Sequence, residues 1–257
     1  MKFSYIDEGK GETLVFIHSY LWDKEMWRPQ IEELKKDFRC IAIDLPNHGE
    51  SENVVGSISL NKIGRDISDL LKELKIEKYS YVGLSVGGML VPYIYNLDKD
   101  KINKIIIMDS YVGEESFETK ELYFSMLDAI EKAKYIPDAL VEKIAPMFFS
   151  PSIDKSGVLY KTFVEKLREM PEEKIEGIVK LGRVIFGREN ALNLLSEIDK
   201  PTYFLVGEYD IPRPYSESIE MATYIKDCKV MKIKNAGHIS NLENTEETNK
   251  ILTNILK

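Results

Sequence analysis

Short runs rich in Val, Ile and aromatic residues alternate with longer stretches of helical spacing, and this alternation restricts the chain's architecture more than any other feature. "TLVFIHS", "FRCIAIDL", "KYSYVGLS" and "KINKIIIMDS" read as strands dense enough in branched and aromatic side chains to be buried on both faces. Between them, "DKEMWRPQIEELKKDF" and "SLNKIGRDISDLLKELKI" space their apolar residues by three and four, as amphipathic helices do. Pro29 falls early in the first of these, where a missing N–H is cheap. Parallel strands need crossover connections, so the alternation predicts an α/β fold: a mostly parallel central sheet with helices on both faces. The opening "KFSYIDEGKGE" is expected to add an antiparallel edge strand and a turn.

The alternation breaks in the middle of the chain. From about residue 113 to 197 the pattern is almost wholly helical, and strand–helix alternation then resumes with "PTYFLVGEYD", "YSESIEMATYIKD", "CKVMKIKNAGH" and a last helix, "TEETNKILTNILK". The predicted organisation is one α/β core in two parts, residues 1–112 and 198–257, with a helical cap inserted at 113–197. No internal repeat is visible.

Charge and cysteine content exclude several classes. The formal charge is -8, and lysines alternate with glutamates instead of clustering, which argues against a nucleic-acid partner. No apolar run approaches the roughly 20 residues that span a bilayer, and "MKFSYIDEGK" has no signal-peptide core. Cys40 and Cys228 are too few for a disulfide framework or a zinc site, and read as buried, reduced thiols. The expectation is a soluble, cytoplasmic protein that uses no metal or cofactor.

The candidate chemistry begins at "YSYVGLSVGGML", a Gly-x-Ser-x-Gly motif between a strand pattern and a helix pattern. Such a turn forces Ser85 into a sparsely populated backbone region and lifts its hydroxyl clear of the chain. Gly83 and Gly87 suit the close approach of the two flanking segments. Val86 starts the helix, and its free N–H can face a developing negative charge. A serine hydroxyl needs a base, and the chain has only three histidines. His238, in "NAGHIS", follows the last strand pattern, at the sheet edge where parallel-sheet sites are built. An acid must then orient the imidazole. Asp210 ends "FLVGEYD" on the same edge, and Asp109, after "KIIIM", is the alternative.

With these motifs in order ("FIHSY", "DLPNHGES", "GLSVGG", "VGEYD" and "AGHISNLEN"), nearly the whole chain resembles the α/β-hydrolase superfamily, in particular its small, capped esterase and enol-lactonase-like branch. The resemblance implies an acyl-enzyme mechanism with Ser85 as nucleophile, His238 as base and Asp210 as acid, since in most of the family the acid follows the later strand. It also implies an oxyanion hole made by the backbone N–H groups of Val86 and Tyr20. His18 matches the family's His-Gly loop and His48 its Gly-His-Gly turn, both in structural roles. Ser19 and Asn47 stand where the family usually has glycine.

The implied partner is a small-molecule ester or lactone. The family also uses this triad for carbon–carbon bond hydrolysis, perhydrolysis, thioester or amide cleavage and lyase reactions. A ligand receptor with slow turnover is the rival from another class. Phe117, Tyr123, Phe124, Met126, Tyr135, Met147, Phe148, Phe149 and Phe186 would supply an aromatic and methionine-rich roof, mostly as the cap's own core. Lys161, Lys166, Arg183 and Arg188 are the candidate cations for a substrate carboxylate.

Overall fold

A computed structural model describes residues 1–54 and 56–257. Its strands are β1 (Tyr5–Gly9), β2 (Glu12–Ile17), β3 (Phe38–Ile43), β4 (Tyr79–Leu84), β5 (Ile102–Met108), β6 (Thr202–Gly207) and β7 (Cys228–Ile233). They form one sheet in the order β1-β3-β2-β4-β5-β6-β7. β1 runs antiparallel to β3 at one edge, and the other neighbours are parallel. The α/β fold class and the antiparallel edge are as the sequence pattern predicts. β4, at the centre, is buried at every position, which is why its sequence shows no polar alternation.

The helices of the core are α1 (Arg28–Leu34), α2 (Leu60–Glu73), α3 (Val86–Met89), α4 (Val91–Asp98), and, after the middle segment, α9 (Tyr215–Ala222), α10 (Ser240–Glu243) and α11 (Thr245–Leu256). α2 shows how sequence sets the packing. The Ser59 side chain caps its start by accepting the Lys62 N–H, and Leu60, Ile63, Ile67 and Leu71 form its buried stripe. Between β5 and β6 lie α5 (Phe117–Ala133), α6 (Asp138–Ile144), α7 (Val158–Arg168) and α8 (Glu172–Phe186), with no strand among the described residues.

Two details depart from the sequence reading. Phe117 and Tyr135 are 73% and 56% exposed, so they belong neither to a roof nor to a core. Phe163 of α7 takes their place: it is buried, stacks on Trp22 at 4.6 Å and packs against Phe148 and Phe149. Burial of such a ring is worth about 1.5–3 kcal/mol, so this cluster holds α7 to the loop after β2. Cys40 is buried as expected, whereas Cys228, at the start of the edge strand β7, is only half-buried.

The strand order places the site. From β2 the chain passes to β3 on one side, and then returns to lay β4 on the other side of β2. The loops leaving β2 and β4 therefore diverge, opening a crevice at the carboxyl edge of the sheet. Among the described residues no helix is long and apolar enough to cross a membrane.

Candidate active site

Ser85 follows β4 with φ 55° and ψ -115°, a conformation that only a strained turn imposes on a residue with a side chain. The two glycines make the turn possible. A Cβ on Gly83 would lie 2.4 Å from the Gly87 carbonyl carbon, and one on Gly87 would lie 2.4 Å from the Ile17 oxygen of β2. The bend is pinned on both sides: the Tyr81 hydroxyl donates to the Gly87 oxygen at 2.7 Å, and the Ser110 hydroxyl donates to the Ser85 oxygen at 2.6 Å. Val86 is the first residue of α3, so its N–H has no intrahelical acceptor.

The loop after β2 is braced by the two remaining histidines. His18 Nε2 accepts the Leu45 N–H at 2.8 Å, and His48 Nε2 accepts the Leu21 N–H at 3.1 Å. With Nε2 accepting, each ring carries its proton on Nδ1, which donates to the Ser19 or Pro46 carbonyl. Burial pushes both imidazoles down, His18 to about 4 and His48 to about 3, so both are neutral braces. Asn47 takes the left-handed conformation (φ 65°) that glycine would supply, whereas Ser19 does not; here Leu21 is the left-handed residue (φ 67°). Ser19 thus fits where the family has glycine, and its hydroxyl is buried without a hydrogen-bond partner. The Tyr20 hydroxyl donates to the Ile178 oxygen of α8 at 2.8 Å, tying this loop to the helical segment.

His238 stands in the loop after β7, with Nδ1 at 3.1 and 3.0 Å from the two carboxylate oxygens of Asp210. Asp210 Oδ1 also accepts the Arg213 N–H at 3.0 Å, which fixes the carboxylate plane. Gly237 precedes the histidine because a Cβ there would lie 2.4 Å from the Phe149 carbonyl carbon. The Ile239 N–H donates to the Phe148 oxygen at 3.0 Å, and Glu243 accepts the N–H groups of Gly237 and Ser150. The histidine loop is therefore held by the chain that leaves α6. Asp109, the alternative acid, does not reach His238; it accepts the Gly207 N–H at 2.7 Å and the Ser240 hydroxyl at 2.5 Å.

Ser85, His238 and Tyr20 share one cavity, roofed by Tyr123, Met126 and Leu127 of α5 and Ile178, Ile185 and Phe186 of α8. Its volume is about 80 Å³, and its walls are mainly apolar. None of the four candidate cations lines it. Lys166 pairs with Asp23, Arg183 with Asp128 and Glu131, and Arg188 with Glu115, while Lys161 flanks a separate surface groove. The cation that does reach the wall is Arg213, which sequence reading missed although it stands three residues beyond Asp210 in "DIPRPY". It is 4% exposed and pairs with Glu115 and, at 3.5 Å, with Glu217. Burial raises the Glu217 carboxyl to about 7.

A hydroxyl on a strained bend, an imidazole oriented by a carboxylate and an apolar enclosure together suit acyl transfer: nucleophilic attack with proton relay and little competing water. The family model described as alpha/beta hydrolase fold matches residues 12–152, more than half of the chain. A 3-oxoadipate enol-lactonase of Acinetobacter baylyi is 26% identical over 95% of this chain and 88% of its own length. A thermophilic esterase from Thermogutta terrifontis superposes with a TM-score of 0.89 at 25% identity, covering 99% of this chain and 92% of that one. The enol-lactonase from Burkholderia xenovorans LB400 superposes with a TM-score of 0.87 at 22% identity, covering 99% and 96%.

Proposed function

The chain belongs to the alpha/beta-hydrolase family, and from that premise we propose that it cleaves small carboxylic esters or lactones through an acyl-enzyme on Ser85. The observation that carries this reading is that His238, paired with Asp210 behind it, lines the same cavity as the strained Ser85. Helices α5–α8, within residues 113–197, act as the cap of that cavity.

In this mechanism Ser85 Oγ attacks the substrate carbonyl carbon while His238 Nε2 takes the hydroxyl proton. The carbonyl π electrons move onto oxygen, and the N–H groups of Val86 and Tyr20 donate to the oxyanion. Asp210 holds Nδ1–H and stabilises the imidazolium. Collapse of the tetrahedral intermediate breaks the C–O bond, and His238 gives its proton to the leaving oxygen. Water then attacks the acyl-enzyme, losing a proton to His238, and Ser85 leaves with that proton as the acid departs. Each step uses groups of the chain and water alone. The apolar walls favour an uncharged acyl group of modest size, because an unpaired charge in such a cavity is costly.

The test is a panel of p-nitrophenyl esters, lactones and thioesters of graded acyl length, measured on the wild type and on Ser85→Ala. Turnover of short esters or lactones that vanishes in the variant supports the reading. Equal rates in the two proteins, or ligand binding with no turnover of any substrate, would overturn it in favour of a receptor or another chemistry.

A further inference from the structure

The loop that carries Asp210 is held down by one side chain. Between Asp210 and the start of α9, Ile211 and Pro214 are exposed and Pro212 is half-buried, whereas Arg213 is buried. The two prolines bring no N–H to this stretch, and the Arg213 N–H is spent on Asp210 Oδ1 at 3.0 Å. What fixes that N–H, and with it the carboxylate facing His238, is therefore the seat of the Arg213 guanidinium.

That seat is Glu115. Its Oε1 accepts from Arg213 Nη2 and, at 2.7 Å, from Arg188 Nη1. All three side chains are nearly sealed from water, at 6% exposure or less. Burial alone would raise the Glu115 carboxyl, but Arg213 and then Arg188 outweigh it and hold the group below the usual carboxylate range. Glu217 of α9 adds only a longer contact to Arg213, at 3.5 Å. A buried guanidinium that loses its carboxylate is left as an unpaired charge, which drives it from its seat.

The place of Glu115 in the chain matters as much as its charge. It lies between β5 and α5, where the chain leaves the core, and Arg188 follows α8, where the chain returns. The Ala191 N–H donates to the Val112 oxygen at 3.0 Å, so the two ends of the helical segment meet there. Glu115 itself does not line the cavity of Ser85. Its reach into the site runs through three links in series: Glu115 to the Arg213 side chain, the Arg213 N–H to Asp210, and Asp210 to His238 Nδ1.

We propose that Glu115 is a positioning residue for the acid of the triad: by seating Arg213 it sets the direction of the Asp210 carboxylate, and it ties that direction to the point where helices α5–α8 join the core. The effect on turnover rests on the reading of His238 as the base and Asp210 as its partner; the effect on the His238–Asp210 hydrogen bond does not.

Three variants test the link. Glu115→Gln keeps the shape and removes the charge. A catalytic group misplaced by about 1 Å loses on the order of a hundredfold, so kcat on a short p-nitrophenyl ester should fall about ten- to a hundredfold while KM stays within about threefold. Arg213→Met breaks the same link but leaves Glu115 paired with Arg188, so it serves even if Glu115→Gln does not fold. The double variant should be no more than about threefold slower than the slower single one, because both changes cut one path. Arg188→Met removes the other ion pair from the same carboxylate, leaves Arg213 seated, and should keep kcat within about threefold. Losses that multiply in the double variant, or an equal loss in Arg188→Met, would overturn the proposal.

Proton NMR reads the link without any turnover. The Nδ1–H signal of His238, identified by its loss in His238→Gln, should move or exchange away in Glu115→Gln and Arg213→Met and stay in place in Arg188→Met. An unmoved signal in the first two contradicts the proposal, whatever the substrate. A moved signal in a protein that turns over no ester would support the positioning and refute only the hydrolase reading.

Discussion

Replacing Asp210 by Asn isolates the part of the site that holds the imidazole. Asp210 is buried, its oxygens meet His238 Nδ1 at 3.0 and 3.1 Å and Oδ1 accepts the Arg213 N–H; in the proposed mechanism it also faces the imidazolium that forms on His238. An asparagine amide that keeps its oxygen on the Arg213 N–H must turn its NH2 toward His238 Nδ1. That nitrogen would then have to accept, which moves the ring proton to Nε2, where it blocks proton transfer from Ser85. The flipped amide restores Nδ1–H but sets its NH2 against the Arg213 N–H, and it carries no charge in either orientation. A lost neutral hydrogen bond would cost only about 1 kcal/mol. The wrong tautomer costs roughly 10³ to 10⁴ in turnover, or about 4–5.5 kcal/mol in the barrier. The assay is steady-state turnover of a short p-nitrophenyl ester at neutral pH, with circular dichroism to show that the variant is folded. A folded Asp210→Asn that keeps more than about a tenth of wild-type turnover would refute the reasoning, as would a larger loss from Asp109→Asn.

Other outcomes follow from the same geometry. Rates on p-nitrophenyl esters should peak at short to medium acyl length, because α5 and α8 close the cavity; a palmitate optimum would mean that this roof opens widely. His18 and His48 enter the fold neutral, with folded values of about 4 and about 3 set by burial. Unfolding below about pH 6.5 therefore takes up protons, so their contribution is complete above that pH and is lost as pH falls toward 4, with a slope of up to about 2.7 kcal/mol per pH unit. Urea midpoints at pH 7, 6 and 5 should decline accordingly, and a flat series would contradict the neutral-brace assignment. Gly87→Ala should destabilise by about 3 kcal/mol or more, since the new Cβ meets the Ile17 carbonyl and rigid backbone must move; a midpoint within error of wild type would show that the turn is softer than described.

The parts legible in the sequence are those with local causes. β-Branched runs mark β2–β6 because central parallel strands need apolar side chains on both faces. Gly83 and Gly87 stand out because no other residue fits where two backbones touch. The family's His-Gly loop was recognisable despite Ser19, yet which residue turns left-handed there depends on the bracing from His48, and it proves to be Leu21. Long-range pairing was not legible. Lys166 is bound by Asp23, 143 residues away, and Arg188 by Glu115, so a cation in the sequence of the middle segment said nothing about the cavity. Arg213 was hidden for the same reason: its partner Glu115 lies 98 residues back, on the far side of helices α5–α8 in the sequence. Helical spacing in the middle segment also left open which turns face the core, and thus Phe117 and Tyr135 are exposed while Phe163 is buried.

The most direct measurement is mass spectrometry of enzyme quenched during turnover of a slowly deacylating ester. The account predicts one acyl group on the peptide that contains Ser85, appearing within the first turnover and decaying as substrate is exhausted. Ser85→Ala should carry no adduct and should lose on the order of 10⁴ to 10⁶ in turnover while remaining folded. Product formation with no acyl group at Ser85, and comparable turnover in Ser85→Ala, would contradict it.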